Sequence, residues 1–106
     1  NAENLALMKP TAYFINVARG PIVDEPALIE VLKQGKIAGA GLDVTEVEPL
    51  SKDSPLWDME NVILTPHAAG GSQHRPRRTI EFFCDNLKRY MKGEPLKNVV
   101  NKQLGF

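Results

Sequence analysis

The pattern of apolar and polar positions in the first third of the chain predicts a short helix, a strand and a longer helix. Leu5 and Met8 stand at helical spacing in "NAENLALMK", which predicts a helix close to the start. The compact run "AYFINVA" is rich in residues that favour strands. After it, Asp24 is the predicted N-cap of a helix with apolar residues every three to four positions, and Gly35 ends that helix.

The rest of the chain predicts two further strands and one long helix. "IAGAGLDV" is apolar almost throughout, which is typical of a strand covered on both faces, and "VILTP" is a short run with β-branched residues. In the polar connection between these two strands, apolar residues do not recur at a regular helical or strand spacing. The last helix is expected to begin at Pro76 or to be kinked near it, and Gly93 and Pro95 are expected to end it. Its apolar stripe consists of Ile80, Phe83, Cys84, Leu87 and Tyr90 or Met91. Membership of this stripe predicts core packing for the Cys84 side chain.

The order of these elements predicts the fold class. A strand, a helix and a second strand in succession indicate parallel strands joined by a right-handed crossover. We therefore expect an α/β fold with a parallel sheet of about three strands, flanking helices and a long C-terminal helix. So small an open sheet leaves a strand edge without a partner. For that reason, and because the first residue is Asn1, we expect a fragment of a longer protein.

Composition and charge exclude several classes of partner. Lys and Arg number 13 and Asp and Glu also number 13, so no net charge attracts nucleic acid or an anionic membrane. No apolar run approaches the roughly 20 residues that span a bilayer. The single cysteine, Cys84, excludes an internal disulfide and fits a reducing compartment, so we expect a cytoplasmic protein. One cysteine and two histidines make a zinc site unexpected, and no metal is predicted.

Charged and titratable residues follow each predicted strand. Arg19 follows the first strand, Asp43 ends the second, and His67 follows "VILTP". Because ligands of open α/β sheets bind at the carboxyl ends of the strands, these three residues indicate a candidate site. Glu46 and Glu48 lie on the adjoining loop, within reach of His67. Each residue also has an ordinary structural explanation: a solvated arginine in a turn, a capping aspartate, a structural histidine or a loop acid.

Three motifs resemble those of the D-isomer-specific 2-hydroxyacid dehydrogenases. They are "INVARGPIVDEPALIEVL", "GAGLDVTEVEP" and "NVILTPHAAG", and "GEPLKNVVN" is similar to the usual end of such enzymes. The resemblance implies a partial Rossmann-like sheet that corresponds to the last third of the enzyme. Residues 1–71 would be the C-terminal half of the dinucleotide-binding domain. Residues 72–106 would be the long helix and tail that return towards the substrate domain. The G-x-G-x-x-G turn of this domain is absent from the chain.

The resemblance implies catalytic roles for Arg19, Glu48 and His67. Arg19 is similar to the arginine that binds the carboxylate and carbonyl of the substrate, a 2-hydroxy or 2-keto acid. His67 is similar to the acid/base that exchanges the hydroxyl proton, and Glu48 to the acid that pairs with this histidine. A carboxylate beside an imidazole stabilises its protonated form. The formate dehydrogenase branch has an amide in place of Glu48 and is disfavoured.

The resemblance also implies NAD or NADP as the cofactor. Asp43 is similar to the residue that holds the nicotinamide carboxamide, and the backbone of neighbouring residues lines the same ring. The implied cofactor-binding residues are Val17, Ala18, Arg19, Asp43, His67 and Gly70. The chemistry is a hydride transfer between the nicotinamide and C2 of the substrate.

Two alternatives stand beside this hypothesis. The chain could be a non-catalytic remnant that is stable only when it associates with itself, or a protein-interaction module of the kind found in the transcriptional corepressor branch of the family. The catalytic and remnant hypotheses are compatible, because the chemistry of a parent enzyme and the behaviour of a fragment are separate questions. We expect the 106-residue chain alone to be inactive. We also expect it to form a homo-oligomer through its bare strand edge or its last helix.

Overall fold

Three short parallel strands form the sheet in the first of two compact units. The computed structural model describes residues 1–105, and Asn1–Gly70 make up the first unit. The strands are β1 (Tyr13–Asn16), β2 (Gly39–Leu42) and β3 (Val62–Leu64). Their order in the sheet is β1-β2-β3, and both neighbouring pairs are parallel. The predicted α/β fold with a three-stranded parallel sheet is confirmed.

The helices of the first unit are α1 (Ala2–Ala6) and α2 (Glu25–Lys33). The Asp24 carboxylate accepts a hydrogen bond from Ala27 N over 3.0 Å and so satisfies one N–H group of the first turn of α2. Gly35 follows this helix with a φ of +61°, a conformation that glycine adopts without strain. Helix α2 is therefore the crossover between β1 and β2, with the cap and the stop that the sequence predicts.

The core of this unit lies between the helices and one face of the sheet. Alternate strand residues belong to it, among them Phe14, Ala40 and Leu42. Leu28 on α2 is fully buried, and Leu56 adds to the core from the connection between β2 and β3. Each large apolar side chain buried in this way contributes roughly 1.5–3 kcal/mol to stability.

The opposite face of the sheet is exposed. Tyr13 and Ile15 on β1 and Ile63 on β3 are 69%, 70% and 71% exposed, and Gly41 between them has no side chain. The residues of β2, which was expected to be covered on both faces, are buried except for the half-buried Gly41. No helix of the first unit covers this second face, because the apolar residues of α1 and α2 belong to the core on the other face. A run of glycine and alanine does not alternate, so it could not indicate which face is covered.

The connection between β2 and β3 is irregular, as its sequence predicts. Within residues 43–61 the structure has one turn of 3-10 helix, Pro55–Trp57, and no other helix or strand. The indole Nε1 of Trp57 donates a hydrogen bond to Ser51 O over 2.8 Å. This contact and the burial of Leu56 fix the path of the connection next to the core.

The second unit begins at Gly71 and contains helix α3 (Arg75–Met91). Pro76 lies in its first turn, where a missing N–H removes no helical hydrogen bond, and Gly93 follows the helix with a φ of +69°. Both limits agree with the prediction. No residue of α3 is buried, and Cys84 is exposed. The expected core packing of Cys84 is therefore wrong, since the whole apolar stripe of this helix stays exposed in the chain.

The tail after α3 contacts the polar side of that helix. The Asn86 side chain accepts a hydrogen bond from Lys97 N over 2.9 Å and donates one to Lys97 O over 3.1 Å. Lys97 Nζ lies 2.8 Å from the Asp85 carboxylate, and this contact is the main cause that lowers the pKa of Asp85. At about 100° per residue, Asp85 and Asn86 lie on the side of α3 away from Ile80 and Leu87. The tail therefore leaves the apolar stripe uncovered.

Candidate active site

Polar side chains lie at the carboxyl ends of all three strands. Arg19 follows β1, Asp43 follows β2 directly, and His67 follows β3. Because both strand pairs are parallel, these ends form one edge of the sheet. The first unit alone thus carries a guanidinium, a carboxylate and an imidazole at the edge where open α/β sheets bind ligands.

Asn16 shapes the Arg19 turn, which we define as residues 16–19. Its side chain is buried, with 2% of the residue exposed. Its Oδ1 accepts a hydrogen bond from Ala18 N over 3.1 Å, and its Nδ2 donates one to Arg19 O over 2.9 Å. Asn16 is not among the site residues predicted from the sequence. The available signal was an amide at the last inward-facing position of an otherwise apolar strand.

Gly20 permits the close approach of this turn to the next strand end. A Cβ added at Gly20 would lie 1.9 Å from Thr45 O and 2.5 Å from Glu46 N. Only glycine leaves room for the two backbones at this distance. The glycine after Arg19 therefore serves packing between the Arg19 turn and the connection after β2.

The Arg19 guanidinium is available to a ligand. Arg19 is exposed, and its Nη1 donates a hydrogen bond to Ala18 O over 2.6 Å. Within residues 1–105 no carboxylate lies within ion-pair distance, 4.0 Å, of this guanidinium. The pKa of Glu48 is lowered chiefly by its hydrogen bond to His67, and the charge of Arg19 adds to that effect. Arg19 therefore acts electrostatically on the same cluster as His67 and Glu48.

Asp43 holds the His67 loop, which we define as residues 65–69. It is 5% exposed, and its carboxylate accepts hydrogen bonds from Thr65 Oγ1 over 2.6 Å, Ala68 N over 2.9 Å and Ala69 N over 2.8 Å. The Thr65 contact is the largest cause that lowers the pKa of Asp43, and the Ala69 contact is the next. The carboxylate is thus stable as an anion. The structure adds this loop-holding role to Asp43 and adds Thr65, which the sequence analysis did not name.

His67 has an uncommon backbone conformation. Its φ is +51°, in the left-handed region, and His67 N donates a hydrogen bond to Thr65 O over 3.0 Å around Pro66. The left-handed region costs an L-residue roughly 1–2 kcal/mol, although histidine enters it more often than most residues do. The hydrogen bonds of Asp43 to the same loop offset this cost. Such strain is typical of residues whose position serves a function.

The His67 imidazole pairs with Glu48. Nδ1 of His67 lies 2.8 Å from Oε2 of Glu48, and Oε1 of Glu48 accepts a hydrogen bond from Thr45 N over 3.2 Å. These two contacts lower the pKa of Glu48, the His67 contact more than the other. An ionised carboxylate only accepts hydrogen bonds, so Nδ1 carries a proton. Nε2 is then the ring nitrogen that can exchange a proton with a ligand.

Of the two loop acids in reach of His67, the structure selects Glu48. The backbone N of Glu46 donates a hydrogen bond to Glu25 Oε2 over 2.7 Å, which ties this loop to the first turn of α2. Glu46 is exposed, and the His67 ring is in contact with Glu48 instead. Sequence spacing alone could not separate the two acids, because the irregular loop has no period that fixes side-chain direction.

Two cavities flank these residues. The lining of one, of about 470 Å³, includes Glu48, Leu50, Trp57, Leu64 and His67. The second, of about 380 Å³, lies over the exposed face of the sheet. Its lining includes Ile15, Val17, Gly41, Asp43, Ile63, Ala68 and Ala69. A polar cluster thus stands between two apolar hollows, an arrangement that suits a ligand with one charged and one flat apolar part.

The remaining sequence-predicted residues lie on the same loops. Val17 and Ala18 belong to the exposed Arg19 turn, and Gly70 is exposed at the end of the first unit. Val17 lines the second cavity together with Asp43. Among residues 1–105 no group of three or more His, Cys, Asp or Glu side chains is arranged to hold a metal ion.

The similarity of the chain to known sequences indicates one protein family. Residues 1–69 match the family model described as D-isomer specific 2-hydroxyacid dehydrogenase, NAD binding domain. The chain is 47% identical over 102 residues to a glyoxylate reductase of Korarchaeum cryptofilum, covering 96% of the chain and 31% of that protein. It is 52% identical over 101 residues to a glyoxylate/hydroxypyruvate reductase B of Shigella boydii, covering 94% of the chain and 31% of that protein. The chain therefore spans about a third of the length of these curated relatives.

Solved structures that are similar to the chain indicate the same family. A D-isomer specific 2-hydroxyacid dehydrogenase from Xanthobacter autotrophicus, in complex with NADPH and MES, has a TM-score of 0.90 and 51% identity, over 100% of this chain and 43% of that one. An NADPH-dependent glyoxylate/hydroxypyruvate reductase from Sinorhizobium meliloti, in complex with NADP and sulfate, has a TM-score of 0.88 and 38% identity, over 100% of this chain and 34% of that one. These neighbours are oxidoreductases with Rossmann-like folds. The chain belongs to the D-isomer specific 2-hydroxyacid dehydrogenase family, within its NAD binding domain.

Proposed function

We propose that this chain supplies the acid/base group and the carboxylate-binding group of an NAD(P)-dependent 2-hydroxyacid dehydrogenase. The observation that carries the proposal is the 2.8 Å contact between His67 and Glu48, at the same sheet edge as Arg19. The similarity to glyoxylate and glyoxylate/hydroxypyruvate reductases supports a small 2-keto acid as the substrate, with glyoxylate and hydroxypyruvate as the first candidates.

His67 is the proposed acid/base. Its Nδ1–H donates to the Glu48 carboxylate, so the ring is held in one orientation and Nε2 is left to exchange a proton. During reduction of a 2-keto acid, Nε2–H gives its proton to the oxygen at C2 as negative charge develops there. The Glu48 carboxylate holds the ring through Nδ1 while Nε2 gives up this proton. In the oxidation direction Nε2 takes the hydroxyl proton back.

Arg19 is the proposed binding group for the substrate carboxylate. A planar guanidinium can form two parallel hydrogen bonds with a carboxylate, and Arg19 has no carboxylate partner of its own among residues 1–105. Bound in this way, the keto acid would have its C2 oxygen near His67 on the same sheet edge. Binding thereby orients the reacting carbonyl relative to the proton donor.

The strand ends also fit a nicotinamide ring. Small and apolar residues line the hollow over Gly41 beside the Asp43 carboxylate, which suits a flat ring with an amide substituent. A nicotinamide held there would supply the hydride chemistry at C2 of the substrate. Asp43 already accepts three hydrogen bonds, and because a carboxylate has about four acceptor sites, one remains for an amide N–H. The proposed cofactor-binding residues are Val17, Ala18, Arg19, Asp43, His67 and Gly70.

The chain is also proposed to associate with itself. The apolar stripe of α3 and the face of the sheet around Ile15 are both exposed, which favours pairing of two copies as a homo-oligomer. Alone, the 106-residue chain is expected to have negligible activity, because its sequence lacks the glycine-rich turn that binds the pyrophosphate of the cofactor. Across residues 1–105 no helix is long and apolar enough to span a membrane. A cytoplasmic location remains a prediction from the single cysteine.

A steady-state assay tests the proposed function. The natural gene product that carries these residues should oxidise NADH or NADPH in the presence of glyoxylate or hydroxypyruvate. Arg19→Leu should raise KM for the keto acid by roughly 10- to 150-fold, the value of a charge-assisted hydrogen-bonded contact. Arg77→Leu is the matched control, because Arg77 is an exposed arginine on α3 that pairs with Glu81. Absence of cofactor oxidation, or an unchanged KM in Arg19→Leu, would contradict the proposal.

A further inference from the structure

We infer that Asn16 is a positioning residue for Arg19, since its buried side-chain amide fixes the turn that carries the guanidinium. This inference rests on the proposed role of Arg19 in binding the substrate carboxylate. Asn16 does not face the ligand site itself: 2% of the residue is exposed. Its effect on the reaction is therefore indirect and acts through the backbone of the Arg19 turn.

The side-chain amide of Asn16 satisfies two backbone groups, one N–H donor and one carbonyl acceptor. Oδ1 accepts from Ala18 N over 3.1 Å, and Nδ2 donates to Arg19 O over 2.9 Å. Among side chains of this length, only an amide supplies both an acceptor and an N–H donor. Aspartate has the same shape but no donor, so it would place a carboxylate oxygen against the Arg19 carbonyl oxygen. Serine could accept from Ala18 N but is too short to reach Arg19 O.

Two further contacts make this turn rigid on the side of β2. The backbone carbonyl of Asn16 accepts a hydrogen bond from Asp43 N over 2.9 Å. Gly20 lies against the Thr45 backbone so closely that an added Cβ would be 1.9 Å from Thr45 O. The first residue of the Arg19 turn and Gly20, which follows the turn, are thus fixed to the end of β2 and its connection, and the Asn16 amide fixes Ala18 and Arg19 between them. Loss of the amide would free the part of the turn that bears Arg19.

The chain offers a matched control in Asn61. Its Nδ2 donates to Leu32 O over 3.2 Å, in a half-buried position just before β3. Asn61 therefore makes the same kind of contact at the other end of the sheet, away from Arg19. Asn61→Asp removes the same donor and adds the same charge as Asn16→Asp. A purely structural role for Asn16 would make the two variants behave alike.

The test compares both variants in the natural gene product, with glyoxylate as substrate. Asn16→Asp should raise KM by about tenfold while kcat stays within about threefold, because the carboxylate contact is equally strong before and during the reaction. Asn61→Asp should lower the melting temperature without a change in KM. If Asn16→Asp does not fold, Asn16→Ser should show the same rise in KM. A KM that is unchanged in folded Asn16 variants, or that rises equally in Asn61→Asp, would overturn the inference.

Amide hydrogen exchange in the chain itself tests the turn without any substrate. In Asn16→Leu, exchange at Ala18 N should accelerate by about 2- to 12-fold relative to Asp43 N, the value of one net hydrogen bond. Asp43 N is the internal reference, since it bonds to the backbone and not to the side chain of residue 16. Equal changes at both amides would overturn the inference. If Arg19→Leu leaves KM unchanged while Ala18 N responds as expected, the proposed role of Arg19 fails and the role of Asn16 in the turn stands.

Discussion

Replacement of Gly20 by alanine should destabilise the first unit more than any other single methyl addition in its sheet region. An added Cβ would lie 1.9 Å from Thr45 O, whereas real Cβ contacts are almost never shorter than 3.0 Å. One of two backbones must therefore move by more than an ångström. Overpacking costs typically about 1–3 kcal/mol, and the upper end applies here because no flexible side chain can yield. Since Thr45 N bonds to Glu48, the shift would also disturb the His67 pair.

Urea and thermal unfolding of the chain measure this effect. For a domain of this size a loss of about 3 kcal/mol corresponds to a fall of roughly 12–24 °C in Tm. Gly41→Ala is the control, because its added Cβ would be 3.9 Å from Ile15 and its φ is not in the left-handed region. This control should leave stability within about 1 kcal/mol of the original chain. Equal stability of Gly20→Ala and Gly41→Ala would refute the close approach of the Arg19 turn to Thr45.

The site carboxylates and the stripe on α3 give three more expected results. Glu48→Gln should lower kcat for keto-acid reduction by about 10²-fold through loss of the charge beside His67; an unaltered kcat would show that this charge is not used. The lowered pKa of Asp43 means that its ionised form adds stability above about pH 4, and that this is lost as the pH falls through the lowered pKa. Urea unfolding should thus show the stability difference between the original chain and Asp43→Asn shrinking below pH 4, and a difference that does not vary with pH would contradict this cause. Light scattering coupled to gel filtration should give a mass above the monomer, which Phe83→Ser with Leu87→Ser should reduce; a monomeric original chain would contradict self-association through α3.

Local signals in the sequence predicted the elements of the fold. Asp24 and Gly35 delimit α2 because capping and left-handed backbone depend on single residues, and the structure shows both features. The sequence was less informative about which faces of the sheet and of α3 are covered by other residues. Whether Cys84 is buried depends on what packs against α3, and periodicity gives only the side of the helix that is apolar. The same limit explains why the exposure of Ile15 and Ile63, on either side of β2, could not be inferred from a run without alternation.

The sequence predicted the parts of the site whose positions follow from the order of the strands. It did not predict the parts whose positions depend on particular hydrogen bonds. Parallel strands necessarily bring Arg19, Asp43 and His67 to one edge, and the structure has them there. Residue spacing left the choice between Glu46 and Glu48 open; the family resemblance indicated Glu48, and the path of the irregular loop brings Glu48 to His67. Asn16 was overlooked because the partners of its amide are backbone groups, which every residue has. The sequence carries only the polar residue in an apolar strand as a signal, and it does not show which backbone groups that residue bonds.

The kinetics of His67→Asn in the natural gene product test the proposed chemistry most directly. Asparagine accepts the left-handed backbone found at this position, and its amide can still donate to Glu48, but it cannot exchange a proton. If His67 is the acid/base, kcat for glyoxylate reduction should fall by about 10²- to 10⁴-fold while the Kd for the nicotinamide cofactor, measured by calorimetry, and the Tm stay close to those of the original protein. A folded variant with kcat within about threefold of the original value would contradict the acid/base role of His67.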